Sequence, residues 1–200
     1  VRIPMTIISE WDSYKDNLEG EILYGIYFGI MLVMILYNLF IFFTLNDVNY
    51  LYYVLSILFA LIFFASVSGH SFQYLWFDSI WWANHVIPIS MGSWGIFAAL
   101  FAYSFLEAKK YSPILGKILG FIMLCGGGIV LSSIFIGYAI AVKLGAALLA
   151  FCSLLIIITG FYVWRKGNRA ARYFTIAWLF FLLGNIFLVF MSYGLLPDTP

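Results

Sequence analysis

Six apolar stretches dominate the sequence: Ile22–Leu45, Tyr50–Ser68, Asn84–Leu106, Gly116–Tyr138, Lys143–Trp164 and Arg172–Leu196. Each is close to the roughly 20 residues that an α-helix needs to cross a hydrocarbon layer about 30 Å thick. Charge is confined to their ends, where Lys117, Lys143 and Arg172 stand, with His85 near one of them. Lipid offers no partner to a free backbone N–H, so a spanning segment must be a helix or part of a closed barrel. The alternating pattern of barrel strands is absent. The fold class is therefore all-α: a polytopic membrane bundle with six spans, expected to gain a seventh beyond Pro200.

Charged residues make up 10% of the chain, against about 25% in soluble domains, which excludes soluble globular and disordered chains. A formal charge of +1 leaves no basic excess for nucleic acid. Basic residues in short loops mark the cytoplasmic side. Lys109, Lys110 and Lys117 lie between the third and fourth stretches, and Arg165, Lys166, Arg169 and Arg172 between the fifth and sixth. Only Arg2, Lys15 and Lys143 fall on the other side, so the N-terminus is expected outside. Lys109, Lys110, Arg165, Lys166, Arg169 and Arg172 are read as topology determinants that also meet anionic lipid headgroups; contact with a cytoplasmic domain is the alternative.

Ahead of the first span, Val1, Ile3, Met5 and Ile7 alternate with Arg2, Pro4 and Thr6. This suits a short strand ending a preceding domain, or equally an irregular lead-in. Glu10, Asp12, Asp16, Glu19 and Glu21, opposed only by Lys15, then read as a linker, so the domain plan is 1–21 and 22–200. Between the second and third spans, Gly69–Trp82 crowds six aromatics without a basic residue. An interfacial aromatic belt explains this; docking of an outer domain, or a lid over a pocket, is the alternative.

No acid, base or metal cluster lies inside the spans, so ion pumping lacks its carriers. Ser93 has His85 two turns away on its own helix and His70 in a loop, which gives no nucleophile–base pair. The chain is read as non-enzymatic, with no metal and no cofactor. Asn38 and Asn185 are the deepest polar side chains, suited to hydrogen bonds between helices. Gly25 with Gly29, and Gly116 with Gly120, form G-x-x-x-G pairs, and Gly126, Gly127 and Gly128 fall mid-helix; close packing, a hinge or a dimer face would each use them. Cys125 and Cys152 are read as free apolar thiols.

The series Gly25-Ile26-Tyr27-Phe28-Gly29, Leu36-Tyr37-Asn38-Leu39, Asn46-Asp47, Tyr50-Leu51-Tyr52-Tyr53, Gly69 with Gln73-Tyr74-Leu75-Trp76, and Phe101-Ala102-Tyr103-Ser104-Phe105-Leu106 before Pro113-Ile114-Leu115 resembles the transmembrane module of bacterial seven-transmembrane receptors with diverse intracellular signalling modules. The resemblance implies a sensor in the cytoplasmic membrane. An outer β-rich domain would take carbohydrate-like or other small ligands, and a cytoplasmic kinase, diguanylate cyclase or phosphatase would be the output. Strand Val1–Ile7 would then close the outer domain, and a homodimer is the expected assembly. Tyr37, Asn38, Gln73, Tyr74, Trp76 and Asn185 become candidate ligand or signalling contacts. A fragment of a small-solute transporter is the competing reading, which would need internal repeats and a polar path; neither is evident.

Overall fold

Side chains in lipid gain little from leaving one apolar medium for another, so helices associate where small residues let backbones approach. The computed structural model, which describes residues 10–75 and 79–192, is built on this rule. Its elements are α1 (Glu10–Leu45), α2 (Val48–Val67), α3 (His70–Tyr74), α4 (Ile80–Phe105), α5 (Ala108–Tyr111), α6 (Pro113–Ser132), α7 (Tyr138–Arg165) and α8 (Arg169–Ser192), with no strand among the described residues. Five of the six long helices are long and apolar enough over their described residues to cross a membrane. The sixth, α8, is 24 residues long.

Local chemistry sets the ends. The Asp47 carboxylate accepts from the Asn49 N–H at the start of α2, and Ser112 caps α6 with Pro113 in its first turn, where a missing N–H costs nothing. Asn168 accepts from the N–H groups of Ala170 and Ala171 to open α8. Gly69, at φ +83°, turns the chain between α2 and α3.

Several boundaries differ from those read in the sequence. The second and fourth spans start at Val48 and Pro113 and not at Tyr50 and Gly116. The acidic stretch from Glu10 to Glu21, suited by composition to a linker or juxtamembrane segment, forms the first turns of α1. Nothing before Gly20 breaks a helix, and Lys15 stands four residues from Glu19, a spacing that supports one. The fourth span stops at Ser132, and the next helix starts at Tyr138 rather than Lys143. The turn is built from Phe135 and Ile136 N–H groups donating to the Ser132 carbonyl; its residues are as apolar as the helices, so hydropathy alone conceals it. Within Gly69–Trp82, α3 forms a short helix, and Trp81 and Trp82 begin α4. Strand Val1–Ile7 and the last residues of the sixth span lie outside the described residues.

Helix α4 is the centre. It packs against α2, α6 and α7, while α1 lies along α2 and α8 along α7. Its face carries Ser90, Gly92, Ser93, Gly95, Ala98, Ala99 and Ala102, all buried. At the α4–α6 crossing, a Cβ on Gly126 would stand 2.9 Å from the Gly92 carbonyl oxygen and 2.7 Å from Ile96 Cγ1. Gly145 of α7 receives Met91, and Gly160 of α7 receives the Thr175 hydroxyl of α8. By contrast Gly25, Gly29, Gly120, Gly127 and Gly128 have open space where a side chain would go. Helix α6 runs unbroken through its three consecutive glycines.

Gly126→Leu should therefore lower stability by about 1–3 kcal/mol or prevent folding, because the neighbouring backbone cannot retreat. Gly127→Leu should be neutral or stabilising, since leucine is about 1 kcal/mol better than glycine in a helix. Unfolding midpoints in mixed micelles compare the two.

Candidate functional site

Two features lie outside the packed centre. The first is a polar tie on α1. The His70 imidazole of α3 lies with Nε2 3.0 Å from Glu21 Oε2 and Nδ1 2.8 Å from Ser68 Oγ. The Tyr24 and Phe28 rings of α1 pack on the same imidazole, with centroids 5.1 and 5.7 Å away. Beneath it, Ser71 donates to Ser66 Oγ, and Ser66 donates to the Ile62 carbonyl. Gly69 makes this possible, since its positive φ folds α3 back beside α1.

The second is a cleft of ≈ 320 Å³ between α1, α2, α4 and α8. Its existence follows from uneven packing. Among the described side chains of α1 the less exposed ones, Phe28, Met31, Ile35, Asn38, Leu39, Ile41 and Phe42, lie on the side that packs along α2. On the far side α8 reaches α4 by aromatic rings: Phe174 lies 5.6 Å from Phe101 and 5.4 Å from Phe105, and Phe181 lies 5.9 Å from Trp94. Large side chains hold backbones apart, and the space between is the cleft. Phe63 and Phe64 of α2 meet Trp94 at 5.9 Å, so the rings form a continuous stack from α2 through α4 to α8.

The sequence-predicted residues are spread over these features. Asn38 is buried in the α1–α2 seam, where its Nδ2 donates 2.8 Å to the Met34 carbonyl of its own helix. Tyr37 beside it is exposed. Gln73 and Tyr74 stand exposed on α3. Trp76 lies outside the described residues, as does the Asn185 side chain. Gly25 and Gly29 lie on the exposed side of α1.

The basic residues gather at the opposite end from His70. Lys110 donates to Glu107 at 2.6 Å, and that hydrogen bond, with the carboxylate's charge, pushes the lysine's pKa up. Arg165 lies over the Phe161 ring and Lys166 over the Tyr162 ring. Arg169 and Arg172 line an open groove with Trp164 and Asn168. Both cysteines are free; Cys152 is buried, with its thiol 3.8 Å from the Gly95 carbonyl.

The family described as 7TM diverse intracellular signalling matches residues 20–199. The chain belongs to this family. As a member of a receptor family with several apolar spanning helices, it is a multi-pass membrane protein and a transmembrane sensing region. No curated protein and no solved structure matches the chain.

Sequence reasoning missed the polar tie and the cleft in this family member. The ring stack had a visible signal: Trp94, Phe97, Phe101 and Phe105, and Phe174, Trp178 and Phe181, recur at three- and four-residue spacing. In a chain with 21% aromatics that spacing does not stand out. The His70–Glu21 pair spans 49 positions and belongs to no local motif.

Phe174→Ala should cost about 3–5 kcal/mol, as for a large core truncation, because Phe174 is buried between α4 and α8. Phe180→Ala, on the exposed face of the same helix, should change stability little. Unfolding of the two variants in micelles checks the difference.

Proposed function

We propose that this region couples an extracytoplasmic ligand-binding domain to a cytoplasmic output domain, and that α1 is the element that moves. The observation that supports this most directly is the unequal seating of the helices: among the long helices α1 packs mainly along α2, with His70 of α3 against its Tyr24 and Phe28, whereas α4 is enclosed by three long neighbours. An element with few buried contacts is the one an external force displaces at least cost. The helical continuation of α1 to Glu10 gives a preceding domain a stiff handle on it.

In this reading a ligand bound outside favours one of two positions of α1. The His70–Glu21–Ser68 tie holds one of them. Displacing α1 changes the width of the cleft, and the ring stack carries that change to α8, the last long helix described. The N-terminal side faces out, and the basic end faces the cytoplasm and the anionic headgroups of a bacterial inner membrane. Asn38 sits in the α1–α2 seam with the exposed Tyr37 beside it, and Gln73 and Tyr74 on α3 face the outer domain. Asn185 belongs to the receiving helix.

The tie is a weak clamp. The Glu21 side chain is 64% exposed, and exposed pairs contribute at most about 1 kcal/mol. A clamp of that size holds a resting state without blocking a switch.

In the full receptor, with output activity as readout, His70→Ala and Glu21→Gln should each shift basal output several-fold in one direction. The double variant should go no further, since both break one contact. Unchanged output, or independent additive shifts, would reject the tie as a clamp. For the orientation, Phe72→Cys should label with a membrane-impermeant maleimide in intact cells, and Asn168→Cys only after the membrane is opened. The reverse pattern would invert the topology.

A further inference from the structure

We propose that the cleft between α1, α2, α4 and α8 is itself a ligand site, taking an uncharged, membrane-soluble molecule with a planar ring and carbonyl-type oxygen acceptors. Volume comes first. At ≈ 320 Å³ the space falls at the lower end of small-molecule pockets, about 300–1,000 Å³.

The lining specifies the chemistry. No charged side chain contributes to it, and an ion in such surroundings would have no counter-charge. The occupant is therefore neutral and arrives through the bilayer, into which the cleft opens sideways. Trp94, Trp178, Phe101 and Phe181 offer ring faces and edges, the geometry in which flat aromatic systems pack by offset or edge contacts. Met31 and Met34 supply flexible walls that adapt to shape.

Three of the lining residues bear hydroxyls: Tyr27, Tyr53 and Ser56. Among the described residues none of them makes a hydrogen bond. Ser56 is the informative case. Ser66 of the same helix donates to the carbonyl four residues earlier, as do Thr159 and Thr175 elsewhere. Ser56 does not; the residue is 7% exposed, and its Oγ is not among the fully covered polar atoms, so it keeps access to the space beside it. A polar group without a partner in an apolar medium is costly, and a lipid acyl chain in the cleft would leave all three donors unpaired. A ligand bearing carbonyl oxygens would satisfy them.

The probe is menadione, a neutral naphthoquinone, with 2-methylnaphthalene as the ring that lacks oxygen. The full protein is placed in lipid nanodiscs, and quenching of its tryptophan fluorescence by menadione and the shift in unfolding temperature with either compound are followed. Menadione should quench saturably, because Trp94 and Trp178 line the cleft, and should raise the unfolding temperature; 2-methylnaphthalene should raise it less. Ala177→Phe, which fills the cleft from an exposed position on α8, should remove the saturable component. The combined Ser56→Ala, Tyr27→Phe and Tyr53→Phe variant keeps the shape and should weaken menadione at least about tenfold, given about 2- to 10-fold per hydrogen bond. It should leave the hydrocarbon unchanged, and it carries the test should Ala177→Phe not fold. Quenching that is only linear in probe, or saturation unchanged in the hydroxyl variant, overturns the proposal. Binding is read from quenching and unfolding and not from output activity, so an empty cleft and a failed coupling give different results.

Discussion

The structure depends on how closely helix backbones can meet when no hydrophobic force drives them together. In lipid the gain comes from contact itself, and contact between backbones is widest where side chains are smallest. Helix α4 concentrates those positions. Gly92 meets Gly126, Gly95 meets Leu148, and Ala98, Ala99 and Ala102 are fully covered. Every long helix except α1 and α8 is seated directly on this surface. The two that are not stand at the rim of the cleft between α1, α2, α4 and α8.

From this follows a gradient of constraint across the molecule. The α4–α6–α7 side is locked by backbone approach, where a single added methyl group would collide with a carbonyl oxygen. The α1–α8 side is filled by rings and thioethers, which slide and rotate without losing contact. Such a division suits a receptor, because a device that reports a small force needs a fixed frame and a movable part. In the proposed coupling the frame is made of glycine and alanine, and the part proposed to move is bordered by phenylalanine, tryptophan and methionine.

The sequence made the class, the number of long helices and the distribution of basic charge legible, because hydropathy and loop charge are local properties. Breaks between helices were legible where polar residues or proline mark them, as at Asn46–Asp47 and Pro113, although the helices there start ahead of the apolar runs, at Val48 and Pro113. They were not where the turn is apolar, as at Ser132–Gly137. Gly126 stood out in a run of three glycines, but only the register of α6 against α4 separates it from Gly127 and Gly128, and register is set by the partner helix. The His70–Glu21 pair and the three hydroxyls of the cleft join residues remote in sequence, each unremarkable alone. The continuation of α1 through Glu10–Glu21 was obscured by charge, which at that position marks the end of the membrane and not the end of the helix.

The junction between α1 and α2 limits how α1 can move at all. It has two residues, Asn46 in a left-handed conformation and Asp47 as a cap, and the Asn46 N–H is held by the Phe42 carbonyl. So short a link prevents α1 from sliding along its axis like a piston. What is left is a swing about the pinned end. From Leu45 to Glu21 is roughly 36 Å of helix at 1.5 Å per residue, so a tilt of about ten degrees displaces the Glu21 end by about 6 Å and the pinned end hardly at all. Information entering through α1 would thus reach little of the cytoplasmic surface by going straight down; it has to cross the bundle sideways, at the depth of the rings, before it can leave.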